Sequence, residues 1–305
     1  MQNRSNDPGL SEKYFSRTKR IINNDGSFNI IRKGAGFSVW DIYQLLINIS
    51  WIKFIILILG FYFLVNCIYA LLYMAAGADS VSGAAAESFL STFRNFFFFS
   101  VQTISTVGYG GMIPKGTAAN LIEAFETLTG LLGFALITGL LYGRFSRPTA
   151  RILYSRKAII APYQDITSLQ FRVANQRRNA LLEMEAKVMM TYVENIDGHS
   201  QRKYYDLSLE RSYIYFFPLS WTIVHPINSD SPLWNKTVGD LKNLEAEVLI
   251  LIKGYDDTFS QYVHSRYSYR FDEIKWGARF KPAFYIDDNG DVVFDLQDLH
   301  EYDEK

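Results

Sequence analysis

Two stretches of this chain are apolar on every face. Residues 51–74, WIKFIILILGFYFLVNCIYALLYM, carry a single charge, Lys53, near the start. A helix of that length reaches about 36 Å, enough to cross a hydrocarbon core of about 30 Å. The second stretch, 117–145, TAANLIEAFETLTGLLGFALITGLLYGRF, is apolar or small from Thr127 to Tyr142. Glu123 lies near its positive helix N-terminus, an interfacial position. Glu126 lies deeper, where a carboxylate turns toward protein or water rather than lipid. Between the spans, residues 89–103 make a helix of only about 22 Å, too short to cross. Arg94 and Asn95 interrupt it, so the pattern predicts a re-entrant helix. Just ahead of the first span, residues 37–49 place Asp41, Gln44 and Asn48 on one stripe, with Trp40, Tyr43, Leu46 and Ile47 around it. That is an amphipathic helix lying along an interface.

From about residue 158 the period changes to two. In LLEMEAKVMMTYVEN the side chains of Leu182, Met184, Ala186, Val188 and Met190 point one way, and Glu183, Glu185 and Lys187 the other. Short runs of the same kind follow: SLQFRV, YDLSLE, SYIYFF, SWTIVHPI, EVLILIKGY, HSRYSYRF and DVVFDL. Turn signals separate them, including Asp288-Asn289-Gly290, and KTVGDLKNL suits one helical turn. Many short strands with turns predict an antiparallel β-sandwich. The expected fold class is a membrane α-helical two-span pore domain with a re-entrant pore helix, plus a cytoplasmic all-β sandwich. The expected organisation is a cytoplasmic tail 1–36, an interfacial slide helix 37–49, and a transmembrane domain 50–145. Within that domain come an outer helix 51–74, a re-entrant helix 89–103, a glycine-rich segment 106–110 and an inner helix 117–145. A basic linker 146–157 and the β domain 158–305 complete the chain.

Charge fixes the expected orientation. The tail 1–36 holds seven Lys/Arg, and Arg144, Arg147, Arg151, Arg156 and Lys157 follow the second span with no acid among them. The connection between the spans holds only Arg94 and Lys115. By the positive-inside rule both termini are cytoplasmic, in a multi-pass protein of the cell's inner (plasma) membrane. Over the whole chain 31 basic residues balance 31 acidic ones, so no overall field points to nucleic acid. Cys67 is the one cysteine, and His199, His225, His264 and His300 are scattered without metal-ligand spacing. No nucleophile motif or phosphate loop is present, and neither an enzyme activity nor a cofactor is expected.

The unusual stretch is SVQTISTVGYGGMIP, residues 100–114. Irregular backbone at membrane depth is tolerated only where protein surrounds it or where it lines a watery path. Glycines that take positive φ, alternating with other residues, can turn successive carbonyls to one side. Carbonyls facing an axis replace the water shell of a cation, and TVGYG loops form the filters of K+ channels in this way. The negative end of the preceding helix favours the same charge. One chain supplies one strand of such a filter, so a symmetric oligomer is implied, and four copies is the count in those channels.

The whole chain resembles the inward-rectifier K+ channels, specifically their prokaryotic branch. The likeness is carried by WDIYQLLINISWIKF, FFFSVQTISTVGYG, GLLYGRFSRPTA, FRVANQR, LSWTIVHPI and VHSRYSY. It implies a homotetramer with immunoglobulin-like cytoplasmic sandwiches that extend the pore. It also implies K+ coordination at Thr106, Val107, Gly108 and Tyr109, with Gly110 completing the signature, and no metal site beyond those carbonyls. Tyr142 matches the inner-gate aromatic, Phe134 the cavity position, and Gly139 a hinge. Glu183 matches an acidic position of the cytoplasmic pore. Arg144, Arg147 and Arg151 fall where relatives bind anionic lipid such as phosphoinositides, helped by Arg32 and Lys33; basic residues beside an anionic surface gain about 1 kcal/mol each. Polyamine or Mg2+ block is implied, and weak, because Phe134 stands where strong rectifiers carry an acid. Gln102 and Met112 replace a glutamate–arginine pair of many eukaryotic relatives. A different class of function remains open at this stage: a membrane-anchored sensor whose β-sandwich binds a soluble partner or ligand.

Overall fold

The computed structural model describes residues 7–10, 20–31, 33–34, 39–84, 86–147, 150–196 and 198–304. The chain divides into two compact units, residues 34–147 and residues 1–33 with 148–305.

The first unit is helical. It contains α1 (Val39–Asn48), α2 (Trp51–Ala76), α3 (Phe89–Ile104) and α4 (Gly116–Phe145). At 26 and 30 residues, α2 and α4 reach about 39 and 45 Å. Their apolar side chains are mostly exposed: only Phe54, Asn66, Ala70 and Tyr73 of α2, and Ala119 and Glu126 of α4, are buried. Helices this apolar and this uncovered belong in a bilayer, and the chain is a membrane protein. Helix α3 is held between them. Its start is fixed by a capping box, in which Ser91 N donates to Ser88 Oγ at 3.3 Å and Ser88 N to Ser91 Oγ at 3.2 Å. Its phenylalanines Phe96 and Phe99 pack with Tyr73, Ala70, Val81, Ala84 and Ala119. A two-residue ladder of β1 (Val81–Ser82) with β2 (Ile113–Pro114) ties the connection before α3 to the chain after it.

The second unit is two sheets facing one core. The first sheet runs β11–β10–β6–β7, with β8 also on β6; these are Gln261–Arg270, Glu247–Asp256, Leu181–Ile196, His199–Asp206 and Tyr213–Phe216. The second runs β12–β4–β5–β3, with β9 on β5; these are Ile274–Trp276, Ala158–Tyr163, Ile166–Asn175, Ile152–Tyr154 and Ser220–Ile227. Leu169, Phe171 and Val173 of β5 meet Met184, Ala186, Val188 and Met190 of β6 in the shared core. Helix α5 (Val238–Asn243) closes one end, with Thr237 and Asp240 forming its capping box. Small ladders join β13 (Ala278–Phe280) to β16 (Tyr302–Glu304) and β14 (Phe284–Ile286) to β15 (Val292–Phe294). The Asp288-Asn289-Gly290 turn sits between the last pair, with Gly290 at φ +85°.

Several sequence expectations need correction. Strand β12 pairs β4 in parallel, so the sandwich is not wholly antiparallel. YDLSLE is not one strand: Tyr205 and Asp206 end β7, and the rest crosses between sheets, with Leu207 N bonded to Val188 O and Glu210 N to Val224 O. The alternation of β6 breaks at a bulge. Two residues, Glu183 and Met184, oppose Gly254, Glu183 takes φ +49°, and Leu181 rather than Leu182 enters the core. A side chain at 254 would collide with Met184 Sδ, which explains the glycine. The segment read as a basic linker contains β3, whose Tyr154 pairs with Val173. The tail is also structured in part: Ile21 and Ile22 are buried, and Ile22 bridges Phe28. Arg20 bonds Glu273 at 3.1 Å and the Ser268 carbonyl at 2.5 Å, while Ile21 N donates to the Glu247 carboxylate at 3.1 Å. Two isoleucines among basic residues are invisible to an average of polarity.

Candidate functional site

Helix α3 ends at Ile104, and the chain turns back on it. Thr106 N donates to Thr103 O at 2.9 Å, and Gln102 O accepts from both Val107 N at 3.0 Å and Gly108 N at 3.2 Å. These bonds point the amides of 107 and 108 toward the helix. The backbone then alternates. Thr106, Gly108 and Gly110 have φ of +59°, +53° and +78°, whereas Val107 and Tyr109 between them do not enter the left-handed region. Glycine takes such angles freely, but a β-branched threonine at φ +59° is strained by on the order of 1–3 kcal/mol. Alternation of this kind turns successive carbonyls to a common side and leaves the side chains on the other. No atom lies within 4 Å of where a side chain at Gly108 or Gly110 would begin. Val107 and Tyr109 are exposed within a single chain.

The loop at 106–111 is held at several points. Gly83 approaches the Gly111 carbonyl so closely that an added Cβ would lie 3.0 Å from its oxygen, and Lys115 N donates to Ser80 O at 2.7 Å. Gly130 of α4 leaves room for the Ile104 carbonyl, where any side chain would collide. Behind the strand lies a cavity of about 360 Å³ bordered by Gln102, Met112, Glu123 and Thr127. Gln102 is buried and Met112 packs on the phenylalanine cluster.

Phe134 and Tyr142 are both exposed on α4, each at 74%. Gly139 lies between them, within the continuous helix α4. Helix α1 docks against the end of α4, where Gly143 sits under Tyr43 and Ile47. Arg144 is committed to this joint. Its Nη1 donates to the carbonyls of Leu46 at 2.5 Å and Ile47 at 3.0 Å, and its Nη2 to Ile49 at 2.7 Å. The guanidinium also lies over the rings of Trp51 and Phe54. A guanidinium that caps the last carbonyls of α1 in this way is turned to the chain. Arg147 reaches Asn48 Oδ1 at 3.3 Å. Arg151 and Lys33 are exposed. Arg32 lies outside the described residues.

In the β unit, Glu183 is exposed at its bulge and accepts from Tyr262 at 3.1 Å, which pushes that phenol's pKa up. Among the described residues no cluster of His, Cys, Asp or Glu could hold a metal ion. Sequence reasoning singled out Glu126 but missed its partners, Asn66, Tyr73 and Ser100, each a polar group inside an apolar helix. That mismatch was the available signal.

Comparison with known proteins bears on this architecture. Residues 50–146 match the family described as Ion channel, and residues 152–304 match Inward rectifier potassium channel C-terminal domain. The chain is 40% identical over 94% of its length to the inward rectifier potassium channel Kirbac3.1 of Paramagnetospirillum magnetotacticum, covering 96% of that protein. It is 26% identical to ATP-sensitive inward rectifier potassium channel 8 of Mus musculus and of Rattus norvegicus, over 86% of this chain and 68% of each relative. A two-span helical unit joined to a β-sandwich, with both halves matched in order, makes this chain a member of the inward-rectifier potassium channel family, an ion channel rather than an enzyme, with K+ as the permeant ion.

Proposed function

We propose that four copies of this chain surround one pore, with Thr106, Val107, Gly108, Tyr109 and Gly110 as its K+ filter. The observation that carries the assignment is the alternation of positive φ at 106, 108 and 110. Four such strands form rings of carbonyls that replace the hydration shell of K+. Phe134 and Tyr142 face the axis from α4 as cavity and gate. Their exposure within one chain leaves them free to line it. Both termini lie in the cytoplasm with the β-sandwich, where Glu183 contributes its negative charge to the cytoplasmic ion path. Arg147, and separately Arg151 and Lys33, are the basic residues that meet anionic lipid, phosphoinositides among them. Arg144 stands apart from them because its donors are held by α1.

The test is cation flux into liposomes containing the purified protein. K+ and Rb+ pass far better than Na+, and Ba2+ blocks. Mass measurement in detergent gives four chains. Equal Na+ and K+ flux in the wild type, or a conducting species other than a tetramer, would overturn the reading. Adding phosphoinositide to the vesicles changes the flux, and neutralising Arg147 and Arg151 together blunts that change.

A further inference from the structure

Four polar side chains meet inside the apolar helical unit: Asn66 and Tyr73 of α2, Ser100 of α3 and Glu126 of α4. All four are 0% exposed. Tyr73 donates its hydroxyl to Glu126 Oε2 at 2.7 Å. Ser100 Oγ lies 2.9 Å from Asn66 Oδ1 and also bonds Glu126 Oε1. Among the described residues no cationic side chain stands beside the carboxyl.

The hydrogens in this cluster can be counted. Asn66 is oriented by its own helix, because its Nδ2 donates to the Tyr62 carbonyl at 2.7 Å. The amide atom facing Ser100 is therefore the acceptor Oδ1. Ser100 has one hydroxyl hydrogen and two oxygens, Oδ1 and Oε1, within bonding reach. If Glu126 were a carboxylate, one of those two oxygen–oxygen contacts would hold no hydrogen. A proton on Oε1 balances the chain: Glu126 donates to Ser100, Ser100 donates to Asn66, and Tyr73 donates to Glu126. A neutral acid also avoids burying an unpaired charge.

We propose that Glu126 is a positioning residue for the filter, a neutral hydrogen-bond donor that fixes α3 between α2 and α4. This rests on the filter assignment to Thr106–Gly110. Ser100 precedes Gln102 by two residues, and it is the Gln102 carbonyl that holds the amides of Val107 and Gly108. A shift of α3 thus moves the first part of the filter. A second bond between α2 and α4, Tyr69 Oη to Thr129 Oγ1 at 2.7 Å, does not touch α3 and serves as a control.

The experiment measures the K+/Na+ flux ratio of the purified full-length channel in liposomes. Glu126→Gln keeps the ratio within about twofold, because its amide N–H donates to Ser100 and its carbonyl accepts from Tyr73. Ser100→Ala lowers the ratio by about five- to tenfold, the equivalent of one buried hydrogen bond, and Glu126→Leu lowers it at least as far. Tyr69→Phe leaves it unchanged. Infrared spectroscopy of the wild type shows the C=O stretch of a protonated carboxyl that is lost in Glu126→Gln. Should Glu126→Leu not assemble, Ser100→Ala, which removes a single hydroxyl, makes the comparison. Wild-type selectivity in Ser100→Ala overturns the proposal. So does a Glu126→Gln channel as unselective as Ser100→Ala, or a wild type without the carboxyl band. If Gly110→Ala keeps full selectivity, it is the filter assignment that fails instead.

Discussion

Arg144 Nη1 donates to the Ile47 carbonyl at 3.0 Å, across nearly a hundred residues of sequence. Together with the bonds to Leu46 and Ile49, this caps the C-terminal end of α1 from the end of α4. A charged donor on unsatisfied helix carbonyls is favourable twice, through the hydrogen bond and through the helix dipole.

Arg144→Gln therefore loosens α1 and Arg147→Gln does not. Charge-assisted bonds are worth about 1.5–3 kcal/mol each, so losing part of this set raises hydrogen exchange of the α1 amides by about ten- to a hundredfold. Exchange mass spectrometry in detergent reads this directly. Equal protection in the two variants would return Arg144 to the lipid-facing group.

Neighbouring glycines give an internal control for the proposed filter. Gly110 has φ +78°, whereas Gly111 is outside the left-handed region, and neither would meet a neighbour with its Cβ. Only backbone strain separates them. Gly110→Ala, strained by about 1–2 kcal/mol in each chain, abolishes selective K+ flux, and Gly111→Ala conducts as wild type. Loss of selectivity in both variants would show that the space around the loop, not its φ angles, is what matters.

The division between what the sequence disclosed and what it withheld follows the range of the forces involved. Apolar length and period two are local properties, so the spans, the re-entrant helix and most strands were legible. TVGYG disclosed the irregular backbone at Gly108 and Gly110 because glycine marks the φ it permits. Thr106 at φ +59° carried no such mark, since its conformation is imposed by the bonds that Gln102 O makes to the next two amides. Leu182 was misplaced because the bulge at Glu183 depends on Gly254 in another strand. The joint at Arg144 was hidden for the same reason: its partners are carbonyls, which every sequence contains. The partners of Glu126 were scattered over three helices, and only their polarity in apolar surroundings hinted at a meeting.

Burial of His225 in the β unit has a consequence in acid. Its Nδ1 faces the Ser208 carbonyl at 2.7 Å, which can only accept, so Nδ1 carries the hydrogen and Nε2 accepts from Ser231 Oγ at 2.8 Å. Burial lowers its pKa from the ordinary 6.5. The unfolded chain thus takes up a proton before the folded one does. Stability from this site is fully present above about pH 6.5 and is lost as pH falls toward the folded value. Thermal unfolding of the β unit should occur at lower temperature at pH 5.5 than at pH 7.5. His225→Asn, whose amide can still donate to Ser208, should unfold with a shallower pH slope. An unchanged slope would assign the acid lability to other groups.

Phe134 and Tyr142 are eight residues apart on one unbroken helix, slightly more than two turns, and both are open in the single chain. Four Tyr142 rings would narrow the mouth of the pore and four Phe134 rings its cavity. An apolar ring blocks an ion because water is shed with no oxygen to replace it, and such constrictions close by dewetting. Tyr142→Ala therefore raises K+ flux without changing the K+/Na+ ratio, since the filter lies elsewhere. Phe134 offers a cationic blocker no charge, so spermine applied from the cytoplasmic side blocks weakly, and Glu183→Gln weakens the block further. Phe134→Asp reverses this. One charge pair about 5 Å apart at an effective dielectric of about 20 is worth about 3 kcal/mol, so block should tighten by well over tenfold. It should also steepen with voltage, because the blocker then rests deeper in the field. Single-channel recordings of the wild type, Phe134→Asp and Glu183→Gln decide the matter. Strong, steep block in the wild type that survives Glu183→Gln would mean that a different face of α4 lines the pore.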